Sequence, residues 1–248
     1  MPSSSEYRLI YWPGIPGRGE LIRLLFEEAG VAYTDTAKGP PDDAVAAVTS
    51  RLDDNTPPLL APPILQHGSV TLSQTANILL YLAPRLGLAP AAGDDGMYHL
   101  NGIVLTLLDG FVNEVHETHH PVATMDYYES QKPEARRRSK AYRQERLPKF
   151  LAYAQELLTT GDWLYGGELS YADLVLFQGI DGSSYAFPKT MKKMKDSNRY
   201  NDVFRLYEAV KQRPRIKAYL DSRRRAPYST GIWRHYPELE EEEEEEEE

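Results

Sequence analysis

The stretch YRLIYWPGIPGRGELIRLLFEEAG, residues 7–30, limits the fold of this chain more than any other segment. Its aromatic and β-branched start, as far as Trp12, predicts a short strand. A Pro/Gly loop follows, and then a helix from about Arg18 that Gly30 ends. Tyr11 therefore lies at the end of a strand, next to the free backbone N–H groups of a helix start. Such a join can hold an anion near a phenol, although an ordinary α/β domain can also begin this way with Tyr11 as strand filler.

The composition is that of a globular protein. The chain has 248 residues, of which 41% are hydrophobic and 26% are charged, enough for one large or two small domains. It contains no cysteine, which excludes disulfides, thiolate metal sites and a cysteine nucleophile. No run reaches the length of a membrane helix, and the start MPSSSEYRLIYW does not resemble a signal peptide. We therefore expect a cytoplasmic protein without a membrane partner.

An acidic run at the end of the sequence dominates the net charge of −9. Glu238 and residues 240–248 supply ten negative charges, so the rest of the chain is near neutral, at about +1. A near-neutral body argues against binding to nucleic acid. The run itself repels its own charges and predicts a disordered, solvated tail, with binding to a basic partner as the alternative.

The first 87 residues predict a small α/β domain with the element order β-α-β-α-β-β-α. In a short helix after the second strand, Val45 and Val48 are expected to face inward. Pro62 or Pro63 could form the cis peptide of a tight turn, and the spacing leaves open which one does. The elements predicted after the first helix are a strand at 31–37, a helix at 42–49, strands at 64–66 and 69–72, and a helix from Ser73 or Gln74 to Leu82.

The rest of the chain predicts only helices. Pro148 should kink the second long helix, and Ser170 with Asp173 forms a carboxylate variant of the capping box. The predicted helices cover 97–120, 134–160, 170–178, 203–212 and 215–223. The predicted organisation is a flexible N-terminus at 1–6, an α/β domain at 7–87, a linker at 88–96, an all-helical domain at 97–228, and a C-terminal extension with the acidic run at 229–248.

The chain carries five motifs in order: LIYW at 9–12, GRGELIRLL at 17–25, PPIL at 62–65, SQTANILLYL at 73–82 and SYADLVLF at 170–177. Together they resemble the glutathione transferase superfamily over nearly the whole chain. The resemblance implies a thioredoxin-like N-terminal domain that binds glutathione, followed by an all-helical C-terminal domain. It is greatest to the tyrosine-dependent branch, sigma- and mu-like, and the details suggest a fungal- or plant-type member.

The resemblance assigns residues to a glutathione site. Tyr11 matches the catalytic tyrosine, whose phenol donates a hydrogen bond to the glutathione sulfur and so stabilises the thiolate nucleophile. Arg18 resembles an arginine that supports the site electrostatically. Gln74 and Thr75 match the Gln-Ser pair that binds the γ-glutamyl group. The sequence has no clear counterpart of the aromatic and lysine side chains that hold the glycyl carboxylate in the family; Lys38 and Arg51 lie in roughly the right region.

The resemblance also places the residue before the cis-proline against the cysteinyl backbone of glutathione. If Pro62 is cis, Ala61 provides the usual backbone N–H. If Pro63 is cis, Pro62 precedes it and has no N–H to donate. The loop PGIPGR, one residue or so longer than in sigma-like enzymes, is a second departure from the family pattern and could move Tyr11 away from the sulfur.

The resemblance further implies a second-substrate pocket for a small hydrophobic electrophile. Trp12, Ile15, Met125 and Tyr128 are its predicted lining. Glutathione would be a co-substrate, and no cofactor is expected. The predicted function is a homodimeric detoxification transferase, with a non-catalytic binding or structural module, or a glutathione-dependent isomerase, as the alternatives.

The segment His116–His120, HETHH, satisfies the pattern HExxH, in which two histidines four residues apart bind zinc on a helix. Pro121 follows at once and should end the helix there, and no distant third ligand is evident. We therefore expect no metal site and place these histidines in the cleft or on the surface. The arginine runs 136–138 and 223–225 are interpreted as helical surface residues.

Overall fold

The computed structural model describes residues 6–53, 57–91 and 93–241. Within them, β1 (Tyr7–Ile10) is a central strand of a four-stranded sheet with the order β2-β1-β3-β4. β2 (Tyr33–Asp35) lies parallel to β1, and β3 (Ile64–His67) runs antiparallel on its other side. β4 (Val70–Ser73) completes the sheet through a hairpin with β3. The predicted mixed sheet and its element order are confirmed.

Three helices cover this sheet: α1 (Gly17–Ala29), α2 (Pro41–Asp53) and α3 (Thr75–Leu82). Helix α2 is longer than predicted, and only one of the two residues predicted to face inward does so. Val48 is fully buried, whereas Val45 is 42% exposed. Ala44 takes the inward place, because residues four apart share one helix face.

The second half of the chain is helical, as predicted, and both long helices are present. Each is interrupted by one wider π turn, at Leu107–Val112 and at Tyr142–Arg146. The second turn lies just before Pro148, whose ring nitrogen cannot donate to the helix ladder. The helices are α4 (Gly96–Thr106), α5 (Asn113–Glu117), α6 (Lys132–Ala141), α7 (Leu147–Leu157), α8 (Tyr171–Ala186), α9 (Pro188–Asp196), α10 (Asn201–Lys211) and α11 (Pro214–Leu220).

Helix α8 lies at the centre of the core and contacts α1, α4 and α10. Its predicted capping box is confirmed, since the Ser170 backbone N–H donates to Asp173 Oδ2 at 2.7 Å. The second carboxylate oxygen of Asp173 accepts from the Leu164 N–H at 2.8 Å. Burial raises the pKa of Asp173 to about 6, even though these donors favour its charged form.

The C-terminal segment lies across the helical half. Trp233 is buried against Gly182 of α8, and Ser139 of α6 donates to the Leu239 carbonyl at 2.8 Å. Glu240 accepts the Thr190 N–H at 2.8 Å and so caps the start of α9. The beginning of the acidic run is thus packed on the protein, and the remainder, 242–248, lies outside the described residues. In the described part of the chain, no helix is long and apolar enough for a membrane crossing.

Candidate active site

The sheet brings the predicted site segments to one edge. Ile10, the last residue of β1, pairs with Ile64 at the start of β3, and Ile64 pairs with Ser73 at the end of β4. The residues that continue from these three positions are Tyr11, Pro63 and Gln74. Because neighbouring strands lie about 4.8 Å apart, the three adjacent positions fall within about 10 Å of one another.

Tyr11 packs onto the start of α1. Its side chain is 6% exposed, and its hydroxyl oxygen accepts the Arg18 backbone N–H at 2.8 Å. Because the oxygen accepts this bond, its own hydrogen remains available to a ligand. Burial raises the pKa of Tyr11 above 10, against the opposing effect of the Arg18 N–H. The phenol is therefore neutral at physiological pH and acts as a donor.

The glycines of the G-R-G motif make room for the Tyr11 ring. A Cβ at Gly17 would collide with the Tyr11 hydroxyl, and φ at Gly17 is +46°, in the region that favours glycine. A Cβ at Gly19 would lie 2.8 Å from Tyr11 ring carbons. The position of the Tyr11 side chain thus requires glycine at both 17 and 19.

Arg23 lies behind Tyr11 and was not predicted from the sequence. Its guanidinium carbon is 5.7 Å from the centre of the Tyr11 ring. Arg23 is fully buried and donates to Asp35 at 2.7 Å and to Glu20 at 3.3 Å. The Glu20 and Arg23 pair, three residues apart in an apolar helix, is the sequence signal that could have identified it. Among described residues its Nη2 has no hydrogen-bond partner.

The side chain of Arg18 connects the sheet domain to the helical half. Its Nη2 donates to Asn113 Oδ1 of α5 at 2.5 Å. Asn113 in turn donates to Glu117 at 3.4 Å, and Glu117 pairs with Arg138 of α6. The contact with Asn113 of the helical half thus holds Arg18 near Tyr11. Asn113 is a further site residue that the sequence did not indicate.

The cis peptide is Pro62-Pro63, so Pro63 is the cis-proline. The alternative in which Pro62 is cis and Ala61 precedes it is wrong. Pro62 is the residue at the position expected to meet the cysteinyl backbone, and it offers a carbonyl oxygen without an N–H. Ala61, which precedes Pro62 in the loop, is exposed.

Gln74 and Thr75 form the start of α3. Gln74 has a positive φ of 71°, which is uncommon for a residue with a side chain and is often found at ligand sites. Its side chain is exposed, whereas Thr75 is 4% exposed. The Thr75 hydroxyl is buried and has no hydrogen-bond partner in the described residues. A polar ligand at this helix start could use that hydroxyl and the free N–H groups.

Comparison with known proteins agrees with this geometry. The family described as "Glutathione S-transferase, C-terminal domain" matches residues 116–223. The "Glutathione S-transferase" of Plasmodium falciparum is 26% identical over 228 residues, which cover 89% of this chain and 98% of the relative. The protein of the same name from Dirofilaria immitis is 28% identical over 228 residues, covering 88% of this chain and 93% of the relative. The chain is thus similar to glutathione transferases over nearly its whole length.

Solved structures show the same fold. A Nu-class glutathione transferase from Haemonchus contortus superimposes with a TM-score of 0.63 at 23% identity, over 90% of this chain and 98% of that one. The prostaglandin synthase D of Nilaparvata lugens gives 0.67 at 19% identity, over 88% and 98%. The thioredoxin-like and helical architecture of a transferase is thereby confirmed. The fungal- or plant-type origin and the tyrosine-type subclass stay predictions.

The four residues predicted to line the electrophile pocket lie in different surroundings. Trp12 packs on the Ile10 cluster under α2, and Ile15 faces Gly231 of the C-terminal segment. Met125 is 94% exposed. Tyr128 is 2% exposed, stacks on a ring of the C-terminal segment and donates to Glu238 at 3.0 Å. No described contact brings Met125 or Tyr128 to Tyr11.

The histidines of HETHH lie together at the end of α5, which stops at Glu117. Burial lowers the pKa of His116 to about 4 and that of His119 to about 3, so both rings are neutral at pH 7. His120 is 9% exposed, and burial lowers its pKa as well. Glu117 is engaged by Asn113 and Arg138 and is not a free base beside them.

Proposed function

We propose that this chain joins the thiolate of glutathione to small hydrophobic electrophiles, with Tyr11 as the hydrogen-bond donor to sulfur. The observation that carries the proposal is the 2.8 Å bond from the Arg18 N–H to the Tyr11 oxygen, which leaves the phenol hydrogen free. A donor at that place favours the thiolate over the thiol. The positive end of α1 acts in the same direction.

The reaction needs little further chemistry from the protein. The glutathione thiol loses its proton to solvent, and the sulfur forms a bond to the electrophilic carbon. In a substitution that carbon releases its leaving group with the bonding electron pair; in an addition the π-bond pair moves to the neighbouring atom, which takes a proton from solvent. The product is a thioether in both cases. Since the thiolate is the nucleophile, lowering the pKa of bound glutathione is the main contribution. Proximity of the bound electrophile adds to the rate.

The remaining glutathione contacts are assigned by position along the sheet edge. Gln74, Thr75 and the start of α3 would hold the γ-glutamyl carboxylate, and the unpartnered Thr75 hydroxyl supports this assignment. Pro62 would contribute its carbonyl to the cysteinyl backbone. Arg18, held by Asn113, would add positive charge near the thiolate.

Replacing Tyr11→Phe tests the proposal. We expect kcat/KM for thiol conjugation to fall at least tenfold, about 1.4 kcal/mol or more, because one hydrogen bond to a charged sulfur is lost. Retention on glutathione resin should persist. Tyr7→Phe is the matched control, since Tyr7 begins the strand that Tyr11 follows and its hydroxyl has no described hydrogen bond. A loss of less than threefold for Tyr11→Phe, equal to that of the control, would remove Tyr11 from this role.

Two other functions give different results in the same assays. A non-catalytic module on this fold would show no conjugation at all, and without retention on glutathione resin or heat on titration it would not bind glutathione either. An isomerase would convert an isomerisable substrate without forming a thioether. Product analysis with one such substrate separates the isomerase from the transferase.

The assembly and location follow from the family resemblance and are part of the proposal. We propose a homodimer in the cytoplasm. Sedimentation of the purified chain at several concentrations measures its oligomeric state. A monomer at all of these concentrations would contradict the homodimer.

A further inference from the structure

Three histidine rings converge where α5 ends. The centres of the His116 and His119 rings are 5.0 Å apart, those of His116 and His120 are 5.2 Å apart, and those of His119 and His120 are 4.7 Å apart. One ring nitrogen from each residue lies within 4.8 Å of the other two. The turn after Glu117 produces this convergence, because it brings three residues of a short segment to one point.

This spacing is close to that of a metal centre. Three imidazole nitrogens bound tetrahedrally at about 2.0–2.1 Å lie about 3.3 Å from one another. The nitrogens of the cluster must therefore approach by about 1.5 Å at most, given the tetrahedral geometry of such sites. Rotation of side chains such as the half-buried His116 can supply a movement of this size.

His119 gives a second and independent indication. Its Nε2 lies 2.9 Å from the Ile232 carbonyl, to which it donates, so the lone pair of the neutral ring is on Nδ1. The residue is 1% exposed, and Nδ1 is buried with no hydrogen-bond partner among the described residues. A backbone carbonyl that orients a histidine through its second nitrogen is the usual support of a metal ligand.

His116 and His120 are the other two histidines of the cluster. The His116 ring makes no described hydrogen bond and is half-buried, which leaves it a path to solvent. A His120 N–H donates to the Asp126 backbone carbonyl, and His120 Nδ1 lies 3.4 Å from the Gln131 side-chain nitrogen, so a metal would displace the Gln131 amide from that nitrogen. Nearby charges are mixed: Arg18 and Arg234 are close to the cluster, and Glu129 is close to His120.

We propose that His116, His119 and His120 form a binding site for a divalent transition-metal cation, with Zn²⁺ as the best fit. Three neutral imidazoles suit zinc, copper or nickel, whereas magnesium and calcium need oxygen ligands. The fourth position would be filled by water from the side of His116. This site differs from that of an HExxH metalloprotease, because the glutamate is paired with Arg138 and all three ligands come from five consecutive residues.

The test is a calorimetric titration of the full chain, without a histidine tag, with Zn²⁺. We expect one Zn²⁺ per chain at micromolar or tighter affinity. His119→Gln and His116→Gln should each weaken binding at least tenfold, since a three-nitrogen site loses a ligand. His99→Gln is the matched control, because His99 is exposed on α4 and outside the cluster. The acidic run is present in every variant, so any weak binding to it cancels in the comparison.

A second readout reports the ligands directly. Co²⁺ in place of Zn²⁺ should give the visible absorption of a tetrahedral nitrogen site in the wild type and in His99→Gln, and lose it in His116→Gln. Circular dichroism of each variant shows whether it is folded, and the half-buried His116 keeps the test open if His119→Gln does not fold. Equal Zn²⁺ affinity in wild type and His116→Gln, or no binding in the wild type, would overturn the proposal.

Discussion

Among the buried tyrosines, Tyr11 is distinguished by the direction of its hydrogen bond. Tyr219 donates its hydroxyl to Glu20 at 3.0 Å, and Tyr228 donates to Asp181 at 2.7 Å. Those phenols are occupied in holding carboxylates inside the core. Tyr11 instead accepts from a backbone N–H, at 2.8 Å, and keeps a donor for a ligand. The seventeen tyrosines of the sequence do not show this difference, because it depends on what faces each hydroxyl.

The ionisation of Tyr11 can be measured. Burial raises the pKa of Tyr11, and an acid whose pKa is raised keeps its proton to higher pH, so the phenol remains a donor at neutral and mildly alkaline pH. With saturating glutathione, we expect kcat/KM for the electrophile to rise with pH until the bound thiol is ionised and then to stay level, with no fall due to Tyr11. The difference in tyrosinate absorbance between wild type and Tyr11→Phe should be zero from pH 7 to 8. A tyrosinate signal in that range that Tyr11→Phe lacks would contradict the assignment.

At the level of elements, the join of β1 to α1 depends on Gly19. Its backbone is ordinary helix, so what excludes a side chain there is the Tyr11 ring, 2.8 Å from an added Cβ, and Arg23 Nη2, 3.3 Å from it. The same arrangement explains why the loop of six residues between β1 and α1, 11–16, keeps Tyr11 in place. The Tyr11 ring packs against Gly17 and Gly19, and the Arg23 guanidinium lies 5.7 Å from the ring centre.

Gly19→Ala tests this fit. The added Cβ would lie 2.8 Å from the ring, so the ring must move and the Arg18 N–H bond is lost. We expect conjugation to fall about tenfold, the amount one such bond supplies. In Gly102→Ala, where no atom lies within 4 Å, activity should be unchanged and the free energy of unfolding should rise by up to about 1 kcal/mol. Full activity in Gly19→Ala would show that the close contact does not position Tyr11.

At the level of the molecule, a buried network of charges joins the two domains. Arg225 donates to Glu20 of α1 at 3.2 Å and to Asp181 of α8 at 2.6 Å. At the far end of α1, Arg215 donates to the last carbonyls of that helix, 3.0 Å from Ala29 O. The sheet domain is therefore held by charged contacts at both ends of one helix, and we expect the chain to unfold in a single transition.

Arg225→Gln should lower the free energy of unfolding by about 3 kcal/mol, because Glu20 and Asp181 stay buried with fewer donors. Arg205→Gln is the control: its pair with Asp162 is at the surface and contributes about 0–1 kcal/mol. Urea denaturation measures both. A loss for Arg225→Gln no larger than that for Arg205→Gln would show that the network does not couple the domains.

The sequence predicted what local patterns determine. Hydrophobic spacing, capping signals and strand alternation located β1 and α1 and the capping box of α8. Helix α9 was missed because PKTMKKMKD has few apolar residues, and only its contact with the core buries Met191. The arginines 223–225 were predicted on a helix surface, but α11 ends at Leu220 and Arg225 is drawn into the core by carboxylates from distant segments.

The candidate site was predictable to the same degree. Tyr11 and Gln74 could be found from motifs, since the motif fixes their place at a strand end and a helix start. Asn113 could not, because its role comes from a contact across 95 positions of the chain. Arg23 was indicated only by its spacing to Glu20, and its contact with Asp35 lies 12 positions away. The convergence of the three histidines depends on how the chain turns after α5, which the pattern HExxH on an ideal helix does not describe.

The acidic run has two parts that evolution can treat differently. A repeat of one amino acid readily gains or loses copies between generations, so its length drifts freely where nothing contacts it. Glu240 is constrained, because its carboxylate caps α9. Glu238 is constrained as well, because its carboxylate accepts a hydrogen bond from Tyr128. Related chains can therefore differ in how many glutamates they carry, but a version shortened past position 240 would have to find another cap for α9.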